Sequence, residues 1–470
     1  MSGRRDGSWS LRTGSAWTLA GTLAQGGFRF LLNILIGRFG GAALLGQTSG
    51  ILAIAQLATL FGATSLSAAL TRYTASAASD ASTISALAVV RHLRMRMAQW
   101  LTLMLVAVAG VVAATGALSR SDAVIAFILA SGLAGYQFAK AHLLGAGEIR
   151  KASLLELTTA FGGMVLAIGL LWAGVRDENL LWPVAATAVI FLLASGLPRG
   201  KGKPPPEVVR ELDHYALLGV AGTLVSAGFL QGSMILASVG LDSQGAGEYA
   251  SAFTLATPLS LLTMSVGLVL FPAFSRVSQQ SLAFKALLLR ASSGMAVLLV
   301  PGFSLIMALS PEVTRLAWGQ GVRGADQVLP LLVCAVMFAG LGMPASQALT
   351  STGVPGMATS VKIGACGLLT GTLIWAVAVP AYGAWGVGLG YLAGTFITSA
   401  TPLIITAHSI GARWVPHLLR GWGTGLVVSA ASVAAVHSSV DTATRGGVAL
   451  VILGLWLIVS RREVMALAHR

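Results

Sequence analysis

The chain has 470 residues, of which 55% are hydrophobic and only 10% charged, with a mean hydropathy of +0.81. A soluble protein of this length needs far more charge to cover its surface, which excludes a soluble enzyme or a soluble binding module. Long apolar runs recur from residue 14 to residue 460, so the sequence predicts an all-α polytopic membrane protein.

The first thirteen residues, MSGRRDGSWSLRT, are polar and basic, and the apolar run after them is too long for a signal-peptide core; no cleavage is expected. Charges and turn residues then delimit about fourteen helices, at 14–37, 48–70, 98–117, 122–146, 153–174, 180–197, 215–239, 248–273, 287–309, 326–349, 357–379, 384–407, 415–436 and 446–460. Before the third, ISALAVVRHLRMRMAQW (84–100) reads either as an interfacial helix or as an early start of helix 3.

The net charge of +14 does not point to nucleic acid, because of its distribution. With the N-terminus inside, 23 of the 30 Lys and Arg residues fall in cytoplasmic segments or at their helix ends. The outside segments hold 6, namely Arg38, Arg120, Arg176, Arg315, Arg323 and Arg445, and the remaining one is Arg29. This is the positive-inside pattern, and it puts both termini in the cytoplasm. Cys334 and Cys366 both lie in predicted spans, so no disulfide framework or metal cluster is indicated. The longest outside loop, around 310 to 326, leaves no room for a catalytic domain, and no enzyme activity is expected.

The chain also repeats itself. AGTLAQGGFRFLLNIL (20–35) matches AGTLVSAGFLQGSMIL (221–236) at an offset of 201 residues, which also carries Gly46 onto Gly247. A second echo pairs GEIRKAS (147–153) with GVPGMAT (353–359). Six helices separate the two starts, so the copies run parallel. The expected organisation is an N-lobe over 1–197, a proline-rich cytoplasmic linker over 198–213, a C-lobe over 214–410, and a helix pair over 411–470.

The opening GSAWTLAGTLAQGGFRFLLNILIGRFGGAALLGQ, the segment ATSLSAALTRYTA (63–75) and the segment GAGEYASAFTLATPLSLLTMSVGLVLFPAFSRVS (245–278) resemble polysaccharide exporters of the multidrug/oligosaccharidyl-lipid/polysaccharide (MOP) exporter superfamily. The resemblance implies a two-lobed, alternating-access transporter of the Wzx type, a flippase that moves a polyprenyl-(pyro)phosphate-linked oligosaccharide to the outer leaflet. The alternatives are a lipid II flippase and a cation-coupled drug antiporter. Fourteen helices favour the flippases, since the antiporters usually stop at twelve. The turn GGAALLG (40–46) departs from the family pattern, where an acidic and aromatic pair commonly precedes the glycine. The same resemblance implies a bacterial cytoplasmic (inner) membrane, contact with membrane lipids, polymerase or glycosyltransferase neighbours, a monomer, and no cofactor beyond coupling to Na+, H+ or the membrane potential.

Candidate site residues follow from polarity inside the spans. Ser15, Thr18, Thr22, Gln25, Arg29 and Asn33 share one face of helix 1, and a polar stripe of that length should line a water-filled cavity. Arg29 is the main candidate for holding a phosphate, because a guanidinium stays charged and donates in a fork. Its repeat counterpart is Leu230, so the cation belongs to one copy only. Lys140, Gln56, Arg72 and Arg276 complete the substrate-binding candidates, with snorkelling or anchoring as the plainer role for the basic ones. Glu156, at the start of helix 5, is the candidate for ion coupling or for pairing with Lys140; pairing with Arg150, Lys151 or solvent is the bland alternative.

Overall fold

In a computed structural model of the chain, every regular element among the described residues is helical. The structure describes residues 11–79, 86–115, 119–198, 200–275, 277, 281–319 and 322–410, with scattered positions between 422 and 456. Six of the described helices are long and apolar enough to cross a membrane. Each of the twelve spans predicted between residues 14 and 407 falls mainly on helix in its described residues. Predicted helices 13 and 14 lie mostly outside the described residues, although Trp422 packs on Phe338 and Phe396 at 5.1 and 5.7 Å.

The first helix, α1 (Leu11–Leu60), carries two predicted spans. At 1.5 Å per residue its 50 residues exceed twice the bilayer core, so the chain must turn within it. It does so at Gly41, whose φ of 80° suits glycine. The second limb stops at Leu60, and a turn at Phe61 and Gly62 separates it from α2 (Ala63–Ser79). The predicted span 48–70 is therefore two helical pieces. Gly62 sits against Trp100, where a Cβ would come within 2.9 Å of the side chain. A helix broken at membrane depth has to satisfy the backbone it frees. Here Thr223 donates to the Leu60 carbonyl at 3.4 Å. Gln137 bridges the gap, accepting from the Thr64 hydroxyl at 3.1 Å and donating to the Thr59 hydroxyl at 3.5 Å.

Next come α3 (Ala86–Thr115), α4 (Arg120–Gly145), α5 (Ile149–Trp172), a 3-10 turn (Glu178–Leu181) and α6 (Trp182–Ala194). Helix 3 thus starts early and absorbs Arg91, Arg94 and Arg96; the separate interfacial helix does not form. The linker is shorter than expected. Pro205 caps α7 (Pro206–Thr223) and Pro206 occupies its first turn, where a missing N–H costs nothing. A π-helical turn (Leu224–Gly228) then leads into α8 (Phe229–Gly240).

Packing divides the chain into two compact units, one of residues 1–35 with 51–231, the other of 36–50 with 232–470. In the first, Leu66, Leu70, Tyr73, Leu93, Phe138 and Leu212 form a core shared by α2, α3, α4 and α7. Asp213 ties α7 to α3 through Arg96 and through His92 at 3.0 Å. Partial desolvation pushes the Asp213 carboxyl up, but the hydrogen bonds and charges of Arg96 and His92 outweigh it and hold the group below its ordinary value. A carboxyl lowered on folding contributes stability that is complete above the unfolded value near about 4 and disappears as pH falls through the lower folded value. At this exposure the contribution is about 0.2–1 kcal/mol. Asp213→Asn should therefore flatten the acid side of a melting profile in detergent while lowering the neutral midpoint slightly; an unchanged acid limb would refute the latch.

The second unit contains α9 (Ser243–Ser275), α10 (Leu282–Ala308), the short α11 (Ser310–Trp318), α12 (Ala325–Thr350) and α13 (Val354–Ile410). The central α12 is buried along most of its length against α9, α10 and α13. Like α1, α13 holds two predicted spans and turns at a glycine, Gly383, with φ of 54°. Gly386 lies against Ala378 and Gly367 against Gly394 and Thr398, so its limbs are antiparallel. Trp375 donates across them to the Val387 carbonyl at 2.9 Å. The α1 turn belongs to this unit: Arg38 donates to the Leu316 carbonyl and, at 2.6 Å, to the Ala317 carbonyl, capping α11. Gly46 and Gly247, matched in the repeat, face each other with no room for side chains. Two residues on, the buried Tyr249 hydroxyl bonds to Ser233 Oγ at 2.8 Å, so Gly247 and Tyr249 both serve packing.

Candidate functional site

The polar face of α1 is turned inward, as its period predicts. Thr18, Thr22, Gln25, Arg29 and Asn33 are each half-buried, whereas Leu19, Leu23 and Leu31 stand about half exposed on the other side. Opposite them, α4 presents Tyr136 and Lys140 one turn apart, and α5 presents Glu156 and Thr159.

Glu156 is the centre of this arrangement. It retains 1% of its exposure, and its carboxylate accepts from Lys140 Nζ at 2.5 Å and from the Tyr136 hydroxyl. Lys140 donates also to Thr22 Oγ1 at 3.3 Å and lies 6.0 Å from the centre of the Tyr136 ring, which is itself held edge-on by Phe191 at 4.8 Å. Gln25 binds α5 twice, through the Glu156 carbonyl at 3.2 Å and Thr159 Oγ1 at 2.9 Å. Gly21 makes the approach possible: a Cβ there would overlap Glu156 Oε2. The AGTL motif thus has a local reason in the first copy, while at Gly222, its counterpart, a Cβ would meet nothing.

The bland alternative for Glu156 is corrected by this geometry. Its partner is Lys140, because the carboxylate points inward from α5. Lys151 instead pairs with Glu148 at 3.3 Å and donates to the Ser195 carbonyl at 3.0 Å, and Arg150 lies over Trp17 at 5.9 Å. Lys140 does not snorkel to an interface; its side chain is 20% exposed and held by the buried carboxylate.

Arg29 lies one turn beyond Gln25, within the electrostatic reach of Tyr136 and Glu156. Its Nε is buried with no hydrogen-bond partner, so one guanidinium donor is unused. A buried donor left unmet costs about 1–3 kcal/mol, and more when charged, which an incoming anion would recover. Asn33 sits a further turn along the same face. Gln56 belongs to a second polar group, accepting from Gln231 at 3.2 Å and, through its carbonyl, from Thr59 at 2.7 Å. Arg72 is in α2 with its side chain outside the described residues, and Arg276 lies outside them altogether. Sequence reasoning missed Gly21, Thr64 and Thr159, whereas Thr59 belongs with Gln56, Ser67 and Thr71 to a weaker polar stripe that the sequence does show. The spacing of Glu156 and Thr159 on one face of α5 was the available signal for Thr159.

Sequence comparison decides the family. A family model described as "Polysaccharide biosynthesis protein" matches residues 11–278, more than half of the chain. The chain belongs to that family. No curated protein sequence matches it significantly. Among solved structures, the lipid II flippase MurJ in an inward closed conformation matches with a TM-score of 0.67 at 12% identity, covering 96% of this chain and 99% of that one. An inward-facing multidrug resistance MATE family transporter of the MOP superfamily gives 0.60 at 16% identity, covering 84% and 94%. A MOP superfamily transporter from Pyrococcus furiosus, reported with a binding pocket of reversed polarity, gives 0.57 at 16%, covering 84% and 94%. The fold is the one these structures share, and the chain, with six described helices long and apolar enough to cross a membrane, is a multi-pass membrane protein.

Proposed function

We propose that this protein is a flippase that carries a polyprenyl-(pyro)phosphate-linked oligosaccharide from the cytoplasmic to the outer leaflet of a bacterial inner membrane, by alternating access, for cell-surface polysaccharide synthesis. Both termini face the cytoplasm on this reading, and the polymerase and glycosyltransferases of the same pathway are its functional neighbours. The observation that carries it is the buried Arg29 Nε without a hydrogen-bond partner, within the electrostatic reach of Glu156, the carboxylate that holds Lys140. Such a cluster suits a lipid-borne phosphate group, which must pass the hydrocarbon region with its charge neutralised. Arg29 and Lys140 hold the phosphate oxygens, with Thr22, Gln25 and Asn33 lining the approach. Transport draws on an ion gradient or the membrane potential.

The second reading is lipid II as the substrate. It is favoured by the coverage of the flippase MurJ, which aligns over 96% of this chain against 84% for the multidrug transporter. Proteoliposomes holding a labelled polyprenyl-diphospho-oligosaccharide or labelled lipid II distinguish the two by which lipid changes leaflet. In either case Arg29→Ala should slow transbilayer movement by about 10- to 100-fold, the worth of one or two charge-assisted hydrogen bonds. Equal rates in a folded variant would refute the head-group assignment.

A further inference from the structure

Glu156 has a role the head-group reading alone does not give it. In the described cluster the fixed charges are Arg29, Lys140 and Glu156, a net of one positive. A diphosphate diester brings two negative charges. Bound to the two cations with Glu156 still ionised, it would leave one uncompensated negative charge in a buried site, which is strongly unfavourable. Bound with Glu156 protonated, the site is neutral.

We propose that Glu156 is an internal stand-in for the substrate's phosphate: it occupies Lys140 when the site is empty, and gives Lys140 up and takes one proton when the lipid diphosphate binds. This rests on the anion-site reading above and makes the site proton-coupled. The geometry suits an exchange of partners. Lys140 remains 20% exposed and so reachable, while the carboxylate at 1% is shut in against Gly21 and has no water-facing alternative once its cation leaves. The Tyr136 hydroxyl, already bonded to Glu156, stays as its hydrogen-bond partner and can accept from the protonated acid. Among the described residues few ionisable groups face it. The ionisable groups facing Glu156 are Arg29 from α1 and Tyr136 and Lys140 from α4. Thr159 is its polar neighbour on α5, and α6 (WPVAATAVIFLLA) carries no ionisable residue. His142, further along α4, interacts with Glu148 and Lys151 instead.

The test is isothermal titration of the detergent-solubilised full chain with geranylgeranyl-diphospho-N-acetylglucosamine, a diester whose charge is constant between about pH 5 and pH 9. Titrations in buffers of differing ionisation enthalpy count the protons taken up. We expect about one proton per ligand bound at neutral pH, with binding weakening about tenfold per pH unit toward the alkaline end. In Glu156→Gln, uptake should vanish and binding become pH-independent. Binding that needs Arg29 but takes up no proton in the unaltered chain overturns this proposal and leaves the anion site standing. An absence of binding, or binding indifferent to Arg29→Ala, overturns the anion site and the proposal with it.

Discussion

Replacing Lys140 by alanine should cost about 3–5 kcal/mol of folding stability, because it strands a carboxylate in a site that keeps it from water. The pair as a whole is not the source of the loss. Burying two ions is expensive, and a neutral pair of similar shape serves nearly as well; removing one member is what hurts. The double variant Lys140→Met with Glu156→Gln is therefore expected to recover most of the deficit, although it lacks both charges. The measurement is the unfolding midpoint in detergent for the unaltered chain, the two single variants and the double. A Lys140→Ala midpoint equal to that of the parent would mean that the ion pair is not the structural centre of the first unit.

Gly247→Val is the second large effect, and it acts in the other unit. A Cβ at Gly247 would overlap the backbone carbonyl of Ala42, and one at Gly46 would come 2.7 Å from the Gly247 nitrogen. Neither obstacle is the flexible end of a side chain, so relief requires the helices to separate. Overpacking of this kind costs about 1–3 kcal/mol, and a branched side chain against backbone belongs at the upper end. Gly294 in α10 is the control, since a Cβ there meets nothing within 4 Å. Gly294→Ala should be neutral or raise stability by up to about 1 kcal/mol through helix propensity. Similar midpoints for Gly247→Val and Gly294→Ala would rule out the close glycine contact.

How much of this was legible beforehand depends on whether a feature is local in sequence. The helices, the inward stripe of α1 and the turns near Gly41 and Gly383 follow from apolar run lengths, a 3.6-residue period and glycine placement, all read along one segment. Arg29 stood out because it interrupts such a run. The partner of Glu156 was not legible, since Lys140, Arg150 and Lys151 are all close in sequence. The choice among them depends on which way α5 is rotated against α4. The break at Gly62 was hidden for a related reason: ATLFGATSL reads as continuous apolar helix, and the groups that serve the break, Thr223 and Gln137, come from other helices. The start of helix 3 is open in the sequence because arginines usually mark span ends, whereas here Arg96 lies within the helix and pairs with Asp213 on α7.

If the lipid diphosphate binds as proposed, the pairing of Lys140 with Glu156 also sets the electrical work of a transport cycle. A diphosphate diester crossing alone would move two charges through the membrane field, worth roughly 2.3 kcal/mol for each charge per 100 mV. Accompanied by the proton on Glu156, it moves one. An interior-negative voltage then pulls the cargo outward with half the force, while an inward-directed proton gradient opposes the same step. On that proposal, a single carboxylate on α5 would convert a purely voltage-driven lipid carrier into one in which the two components of the proton-motive force act in opposite directions.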